Sequence, residues 1–232
     1  MNAALPLFRG RLEEVRDRIA EAARRSGRGP RAVVLVGVVK RVSADVVREA
    51  VAAGLEDLGE NRVQEAEEKI AAIGRGKVRW HMIGHLQRNK AGRAAALFDR
   101  IHSVDDLELA REISRRAIAA ERVIPALVQV NVSGEATKHG VAPGGVEQLL
   151  GEIVRLPGLR IDGLMGIGPP VKRSEDARPW LARTRELRDA AERALGLRLP
   201  ELSMGMSDDF EVAIEEGSTM VRLGAVLFGP RE

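Results

Sequence analysis

The sequence alternates short apolar segments with longer amphipathic ones eight times, and this alternation restricts the fold more than any other feature. The first apolar segment, residues 33–39, is rich in valine, which is typical of a strand buried on both faces. Strand–helix alternation favours a parallel sheet, and eight copies favour closure, so we predict an α/β fold of the (β/α)8 TIM-barrel type. The alternative is an open, doubly wound sheet, but no Gly-x-Gly-x-x-Gly motif follows the first strand.

The predicted elements run through the chain without a linker, so we expect residues 1–232 to form a single TIM-barrel domain. An extra N-terminal helix, residues 7–25, is expected to cover the place of a helix that is missing after the eighth strand. A capping box of Ser103 and Asp106 is expected to open the helix after the fourth strand. The predicted strands are residues 33–39, 57–59, 78–84, 100–104, 124–132, 159–167, 200–206 and 218–224.

The composition excludes several classes of function. The basic residues are mixed with acidic ones along predicted helices, net charge is +3, and aromatic residues make up 3% of the chain, so we expect no nucleic-acid partner. No apolar run is long enough to span a bilayer, and the first residues lack the pattern of a secretory signal, so we expect no membrane partner. Cysteine is absent, which excludes thiol chemistry and agrees with a cytoplasmic location.

Lys40 directly follows the first predicted strand, at the end of a barrel where active sites lie. A desolvated lysine in such a place can form a Schiff base with an aldehyde. The simpler alternative is a lysine whose side chain extends into water. Only six lysines occur among 37 basic residues, and this one ends a fully buried strand, which favours a functional role.

The ends of the seventh and eighth predicted strands indicate an anion site. Ser207 lies where strand seven leads into a helix, and its hydroxyl group could bind a phosphate or merely cap the helix. Gly224 permits close backbone approach to an anion. Arg222 needs a partner because burying an unpaired charge is costly. From the residues alone, an ion pair with Asp208 or Asp209 is favoured over a ligand contact.

Two further candidates are weaker. Asn61, after the second strand, is either a helix cap or an amide that binds a ligand oxygen. His81 lies near the end of the third strand, where it could flank a ligand or be a satisfied core histidine. Because His81, His85, His102 and His139 are scattered without metal-ligand spacing or a carboxylate cluster, we predict no metal site.

Six segments together resemble the pyridoxal phosphate homeostasis proteins, which are one-domain relatives of the barrel half of alanine racemase. They cover most of residues 33–229 in the expected order. The segments are VGVVK, GLEDLGENRVQE, WHMIGHLQRNK, VQVNVSGEATKHG, GLMGIG and SMGMSDDFEVAIEEGSTMVRLGAVLFG. The resemblance implies an alanine-racemase-type TIM barrel that binds pyridoxal 5′-phosphate (PLP).

The resemblance also implies the cofactor site. Lys40 would form the Schiff base, Arg222 would face the pyridine nitrogen, and Lys138, beside Thr137, would be a secondary contact. Many relatives have threonine where this chain has Ala225, so only a backbone N–H could reach the phosphate from that position. The cofactor-binding residues implied by the resemblance are Lys40, Asn61, His81, Met82, Ser203, Met204, Ser207, Arg222, Gly224 and Ala225.

We predict a PLP-binding homeostasis or carrier protein rather than a catalyst. The related two-base racemases use a tyrosine from a second domain, and this chain has no tyrosine. An arginine at the pyridine nitrogen can only donate hydrogen bonds, which leaves the ring a poorer electron sink. The expected protein is a monomer, and apo PLP-dependent enzymes are the candidate recipients. The alternatives are a weak PLP-dependent racemase or decarboxylase-like enzyme and a phosphate-binding barrel enzyme with an aldolase-type lysine.

Overall fold

A computed structural model, which describes residues 4–135 and 138–229, contains a closed barrel of eight parallel strands in the order β1 to β8. The strands are β1 (Val34–Val38), β2 (Asp57–Glu60), β3 (Arg79–Met82), β4 (Arg100–Val104), β5 (Ile124–Val130), β6 (Leu159–Gly166), β7 (Glu201–Ser203) and β8 (Met220–Leu223). β1 pairs with β8 and thereby closes the barrel, as Val34 lies opposite Met220 and Gly37 opposite Leu223. The predicted TIM barrel is confirmed.

Helices cover the outside of the barrel. They are α1 (Ala4–Arg25), α2 (Ala44–Ala52), α3 (Val63–Ile73), α4 (Ala91–Leu97), α5 (Leu107–Ala119), α6 (Val146–Ile153), α7 (Arg178–Leu195), α8 (Phe210–Glu215) and α9 (Ala225–Phe228). The main hydrophobic core lies between these helices and the outward-facing side chains of the strands. Within the described residues, no helix is both long and apolar enough to cross a lipid bilayer.

Two expectations about helix ends are wrong. Ser103 lies inside β4 rather than at a cap, and Asp106 itself caps α5 by accepting a hydrogen bond from the Leu109 N–H at 2.8 Å. A helix does follow the eighth strand, since α9 forms one turn there. The predicted covering role of the N-terminal helix is confirmed, because α1 packs against α8 and α9, with the rings of Phe8 and Phe228 5.3 Å apart.

The inside of the barrel is partly polar, and a chain of hydrogen bonds crosses it. His81 bonds through Nε2 to Asp57 at 2.9 Å and through Nδ1 to His102 at 2.8 Å. The other ring nitrogen of His102 lies 2.9 Å from Ser203 Oγ, which accepts a hydrogen bond from Arg222 at 2.7 Å. Because His102 is on β4 and Ser203 on β7, which are not neighbours in the sheet, this bond must pass through the barrel interior.

The protonation states give this hydrogen-bond chain a direction. Burial lowers the pKa of His81 and takes the pKa of His102 well below its usual value, so both rings are neutral near pH 7. Burial alone would raise the pKa of Asp57, but hydrogen bonds from His81 and Arg79 outweigh it and lower that pKa. An ionised Asp57 only accepts hydrogen bonds, so His81 must donate to it, His102 to His81, and Ser203 to His102.

The chain therefore ends on Arg222 with a fixed orientation. The Ser203 hydroxyl group uses its proton on His102 and so has only lone pairs for Arg222 Nη1. Arg222 Nη2 donates to the Gly166 carbonyl oxygen at 3.0 Å. These two acceptors, on β7 and β6, hold the guanidinium group at the carboxyl end of the barrel.

We expect the buried histidines to make the fold sensitive to acid. An unfolded histidine titrates near pH 6.5, whereas His81 and His102 stay neutral to lower pH when folded. The free energy of unfolding is therefore unaffected by these two groups above about pH 6.5. As pH falls below this value, it decreases by up to about 1.4 kcal/mol per pH unit for each group. Urea unfolding of wild type and His102→Gln between pH 7.5 and 5 measures this slope. The variant should be less stable at pH 7.5 but show a shallower fall, and equal slopes would contradict the assignment.

Candidate functional site

A cavity of about 390 Å³ opens at the carboxyl end of the barrel. Its walls come from the segments that follow β1, β2, β3, β6, β7 and β8, which is where TIM-barrel sites form. The lining residues are Val38, Lys40, Asn61, Ile83, Gly84, Ile167, Met206, Ser207, Asp208, Arg222, Gly224 and Ala225. Six of the residues predicted for the site therefore share one cavity: Lys40, Asn61, Ser207, Arg222, Gly224 and Ala225.

Lys40 is half-buried and lies two residues beyond β1. The next residue, Arg41, has a positive φ of 57°, so the backbone turns sharply after the lysine. Beneath this turn, buried Lys69 forms an ion pair with Glu60 and donates a hydrogen bond to the Val39 carbonyl oxygen at 2.7 Å. This buried pair anchors the backbone that carries Lys40. Sequence reasoning missed it, because Glu60 follows the predicted strand 57–59 and nothing in the local pattern indicates that Lys69 is its buried partner.

Arg222 is a buried cation held by neutral groups. Burial lowers its pKa to about 10, and the charge of Asp209 partly offsets this effect, so the guanidinium group stays charged near pH 7. Among the described residues, no carboxylate lies within salt-bridge distance of Arg222, so the expected ion pair with Asp208 or Asp209 is wrong. The Asp209 carboxylate instead accepts a hydrogen bond from the Met206 N–H at 2.6 Å. Arg222 therefore supplies positive charge to the cavity wall.

Small and hydroxyl-bearing residues form the wall where β7 and β8 end. The Ser207 hydroxyl group accepts a hydrogen bond from the Val226 N–H at 3.3 Å, which joins the segment after β7 to the first turn of α9. Gly224 and Ala225 lie at the start of that turn. The turn after β7 depends on Gly205, whose φ is +95° and whose added Cβ would lie 2.6 Å from the Ala213 Cβ. These segments bring backbone N–H groups and a hydroxyl group to one side of the cavity.

Asn61 has a buried side-chain oxygen, Oδ1, without a hydrogen-bond partner among the described residues. The helix-cap alternative is wrong, because α3 begins at Val63 and its cap position is Arg62. A Cβ on Gly84 would lie 2.4 Å from the Asn61 carbonyl oxygen, so only glycine allows the segment after β3 to pack here. An unpaired buried amide oxygen destabilises the folded protein. A ligand that donates a hydrogen bond to this oxygen would remove that cost.

Four predicted contacts lie outside the described lining of this cavity. His81, Met82, Ser203 and Met204 are all buried at 3% exposure or less. His81 and Ser203 belong to the hydrogen-bond chain beneath Arg222, and Met82 borders a separate cavity of about 280 Å³.

Lys138 is also absent from the described lining of the cavity that contains Lys40. Its Nζ donates to Glu135 at 2.7 Å and lies 3.5 Å from the Gly168 carbonyl oxygen, and its side chain lines a neighbouring cavity. Its neighbour Thr137 falls outside the described residues.

The arrangement combines an amine, a buried guanidinium group and a side rich in N–H donors within one enclosure. The amine can bond covalently to an aldehyde, the guanidinium group can donate hydrogen bonds to an aromatic nitrogen or an anion, and the donors can bind a phosphate. Val38, Ile83 and Ile167 add apolar surface suited to a flat ring. The geometry thus suits a small aromatic aldehyde that carries a phosphate.

Comparisons with known proteins agree with this geometry. The family model for the alanine racemase N-terminal domain matches residues 11–232. A pyridoxal phosphate homeostasis protein from Aquifex aeolicus is 46% identical over 222 residues, which cover 96% of this chain and 97% of the relative. The protein of the same name from Escherichia coli K12 is 39% identical over 225 residues, with 95% of each chain covered.

Solved structures with the same barrel fold also resemble this chain. PipY from Synechococcus elongatus with PLP bound is 36% identical, covers 96% of this chain and 100% of its own, and superposes with a TM-score of 0.83. An alanine racemase from Clostridium difficile, at 16% identity and a TM-score of 0.76, shares the fold over 97% of this chain and 56% of its own. The chain therefore belongs to the alanine racemase N-terminal domain family and, within it, to the pyridoxal phosphate homeostasis proteins.

Proposed function

We propose that this protein binds PLP as a Schiff base on Lys40 and acts in intracellular PLP homeostasis and delivery without robust catalysis. The observation that carries the proposal is the placement of Lys40 and the buried Arg222 on the walls of one cavity at the barrel mouth. The structure of PipY with PLP, from a relative 36% identical to this chain, supports the choice of ligand. A volume of about 390 Å³ lies within the usual range for small-molecule sites.

The residues present fit PLP. When bound, PLP supplies an aldehyde that can form an imine with an amine, with release of water. Lys40 is the amine at the cavity wall, and its Nζ must be unprotonated to attack the aldehyde carbon. The Ser207 hydroxyl group and the backbone at Gly224 and Ala225 are placed to bind the phosphate. The unpaired oxygen of Asn61 adds one polar group beside the ring.

Arg222 is suited to orient the ring. Its Nη1 and Nη2 each use one proton on Ser203 and Gly166, so further N–H groups remain for an acceptor in the cavity. A guanidinium group donates hydrogen bonds but cannot accept them. It can therefore bind a pyridine nitrogen only when that nitrogen is unprotonated. The ring then withdraws electrons weakly, which suits reversible storage of the cofactor better than carbanion chemistry. In this proposal His81 and Ser203 act through Arg222.

The catalytic alternative needs a second acid or base. The described titratable side chains that line the cavity are Lys40, Asp208 and Arg222, so Asp208 is the group a weak racemase or decarboxylase would have to use. His81 and His102 are committed to the hydrogen-bond chain inside the barrel. We therefore favour the carrier and make Asp208 the test of the alternative.

The proposal extends to the location of the protein in the cell and to the proteins that receive the cofactor. We propose a monomeric, single-domain carrier in the cytoplasm, in agreement with the absence of cysteine from the sequence. Its recipients would be apo PLP-dependent enzymes, to which a reversible imine can release the cofactor.

Borohydride reduction should attach PLP to Lys40. We expect mass spectrometry of the reduced, PLP-loaded protein to locate a pyridoxyl group on Lys40, and the imine absorption to disappear in Lys40→Ala. Lys138→Ala is the matched control, because Lys138 lines the neighbouring cavity and pairs with Glu135. A pyridoxyl group on another lysine, or an unchanged spectrum in Lys40→Ala, would refute the proposed linkage.

Arg222→Lys should weaken PLP binding by about tenfold or more, because a hydrogen bond to a charged group contributes about 1.5–3 kcal/mol and lysine lacks the planar fork. Fluorescence or absorbance titration of the apo protein with PLP measures the change. Arg193→Gln, on an exposed position of α7, is the control and should bind PLP as wild type does. Equal affinity in Arg222→Lys would show that the guanidinium group does not bind the ring.

Carrier and enzyme are distinguished by proton exchange at the α-carbon of amino acids. We expect a panel of L-amino acids in deuterated water to show no exchange above that with free PLP, since a ring with an unprotonated nitrogen stabilises the α-carbanion poorly. If NMR detects exchange above that background, and the exchange decreases in Asp208→Asn, the catalytic alternative is favoured instead.

A further inference from the structure

Three side chains from consecutive connections of the barrel meet beside the candidate cofactor site. His85 follows β3, Asp105 follows β4 and His139 lies beyond β5, so the sequence separates residues that the barrel brings together. Their potential ligand atoms all lie within 4.8 Å of one another. The two imidazole rings are stacked, with centroids 3.6 Å apart and planes 6° apart, and His85 Nδ1 lies 3.7 Å from Asp105 Oδ2.

One oxygen of the carboxylate in this cluster lacks a hydrogen bond, although the backbone N–H of Gly140 donates a hydrogen bond to the carboxylate group. The Asp105 side chain is only 10% exposed, and its Oδ1 is buried without a hydrogen-bond partner within the described residues. Gln129, which lines the same small cavity as both histidines, also has a buried and unpaired side-chain oxygen. Lys138, which lines the same cavity, donates to Glu135. Buried, unpaired oxygens beside two imidazoles favour a cation as the missing partner.

We propose that His85, Asp105 and His139 bind one divalent transition-metal ion, with Zn²⁺ as the reference ion. Two imidazole nitrogens and one carboxylate oxygen are ligands of the type that zinc and its neighbours in the first transition row take. Ligand atoms about 2 Å from a tetrahedral ion lie about 3.3 Å apart, so no pair of ligand atoms in the cluster has to approach by more than roughly 1.5 Å. Because imidazole lone pairs lie in the ring plane, the His85 ring must also rotate out of its stack on His139, and its side chain, which is 38% exposed, has room to do so.

Such a site would have an open coordination position beside the cofactor cavity. Three protein ligands leave at least one position of a tetrahedral ion for water or a small oxygen ligand. The cavity lined by the two histidines has a volume of about 270 Å³ and shares Ile83, Gly84 and Ile167 with the cavity of Lys40. A small molecule on the metal ion would therefore lie next to the proposed cofactor. Binding of the ion itself requires only the three ligands and does not depend on PLP.

Titration of the full-length protein with Zn²⁺ alone tests the proposal. After chelator treatment and desalting, competition with a chromophoric chelator should show one tightly bound equivalent per chain. The histidine ring resonances provide an internal control, because the signals of His85 and His139 should shift in NMR spectra while those of buried His81 and His102 should not.

Variants at the ligands should lower Zn²⁺ affinity by about tenfold to a hundredfold or more. Asp105→Asn keeps the shape of the side chain and removes its charge, and His85→Ala changes a partly exposed position, so at least one variant should fold. Glu108→Gln removes an exposed carboxylate near the start of α5 and should bind Zn²⁺ as wild type does. Circular dichroism checks that each variant is folded.

Three outcomes would overturn the proposal: no saturable Zn²⁺ binding, shifts of the His81 or His102 signals instead, or unchanged affinity in folded Asp105→Asn and His85→Ala. The same titration on Lys40→Ala separates this inference from the proposed function. Zn²⁺ should bind that variant normally even if no PLP does.

Discussion

The candidate site depends on the hydrogen bonds that hold Arg222 from within the barrel. A buried guanidinium group without a carboxylate in salt-bridge range is costly, and Arg222 is stabilised by acceptors on Ser203 and Gly166. Ser203 can accept because its own proton is used on His102, and the direction of the chain is set by the ionised Asp57 at its far end. One carboxylate on β2 therefore orients a cation on β8 through side chains of β3, β4 and β7, and the charge faces the cavity rather than being neutralised.

Two buried oxygens at the mouth of the barrel are unpaired, in contrast to the ring nitrogens of the histidines in its interior. Inside, the two buried histidines use both ring nitrogens. At the mouth, Asn61 and Asp105 each retain a buried oxygen without a partner among the described residues. An unpaired buried group costs about 1–3 kcal/mol, and a bound ligand or ion can offset that cost. We therefore interpret the two oxygens as parts of two adjacent sites, one for the proposed cofactor and one for the proposed metal ion.

Most of the fold was predictable because its signals are local. The alternation of short strand-like segments with amphipathic helices located all eight strands, and six of the eight predictions extended one to three residues beyond an observed strand end. Boundaries were less certain, as Ser103 shows: its residue type fits a cap, but strand pairing holds it in β4 and leaves the cap to Asp106. Lys40 and Arg222 could be identified because each lies at the carboxyl end of a strand, where a barrel places its functional groups.

By itself, the sequence determined the order of strands and helices, the closure of the barrel and the two charged residues at its mouth, because periodicity and strand ends can be recognised within short segments. Only the tertiary structure decided the partners of those charges. Arg222 bonds to Ser203 rather than to an aspartate, and His85 meets His139 across 54 positions of sequence. Such partners depend on which side chains meet across the barrel interior and between its loops, and no local pattern of residues encodes these distant contacts.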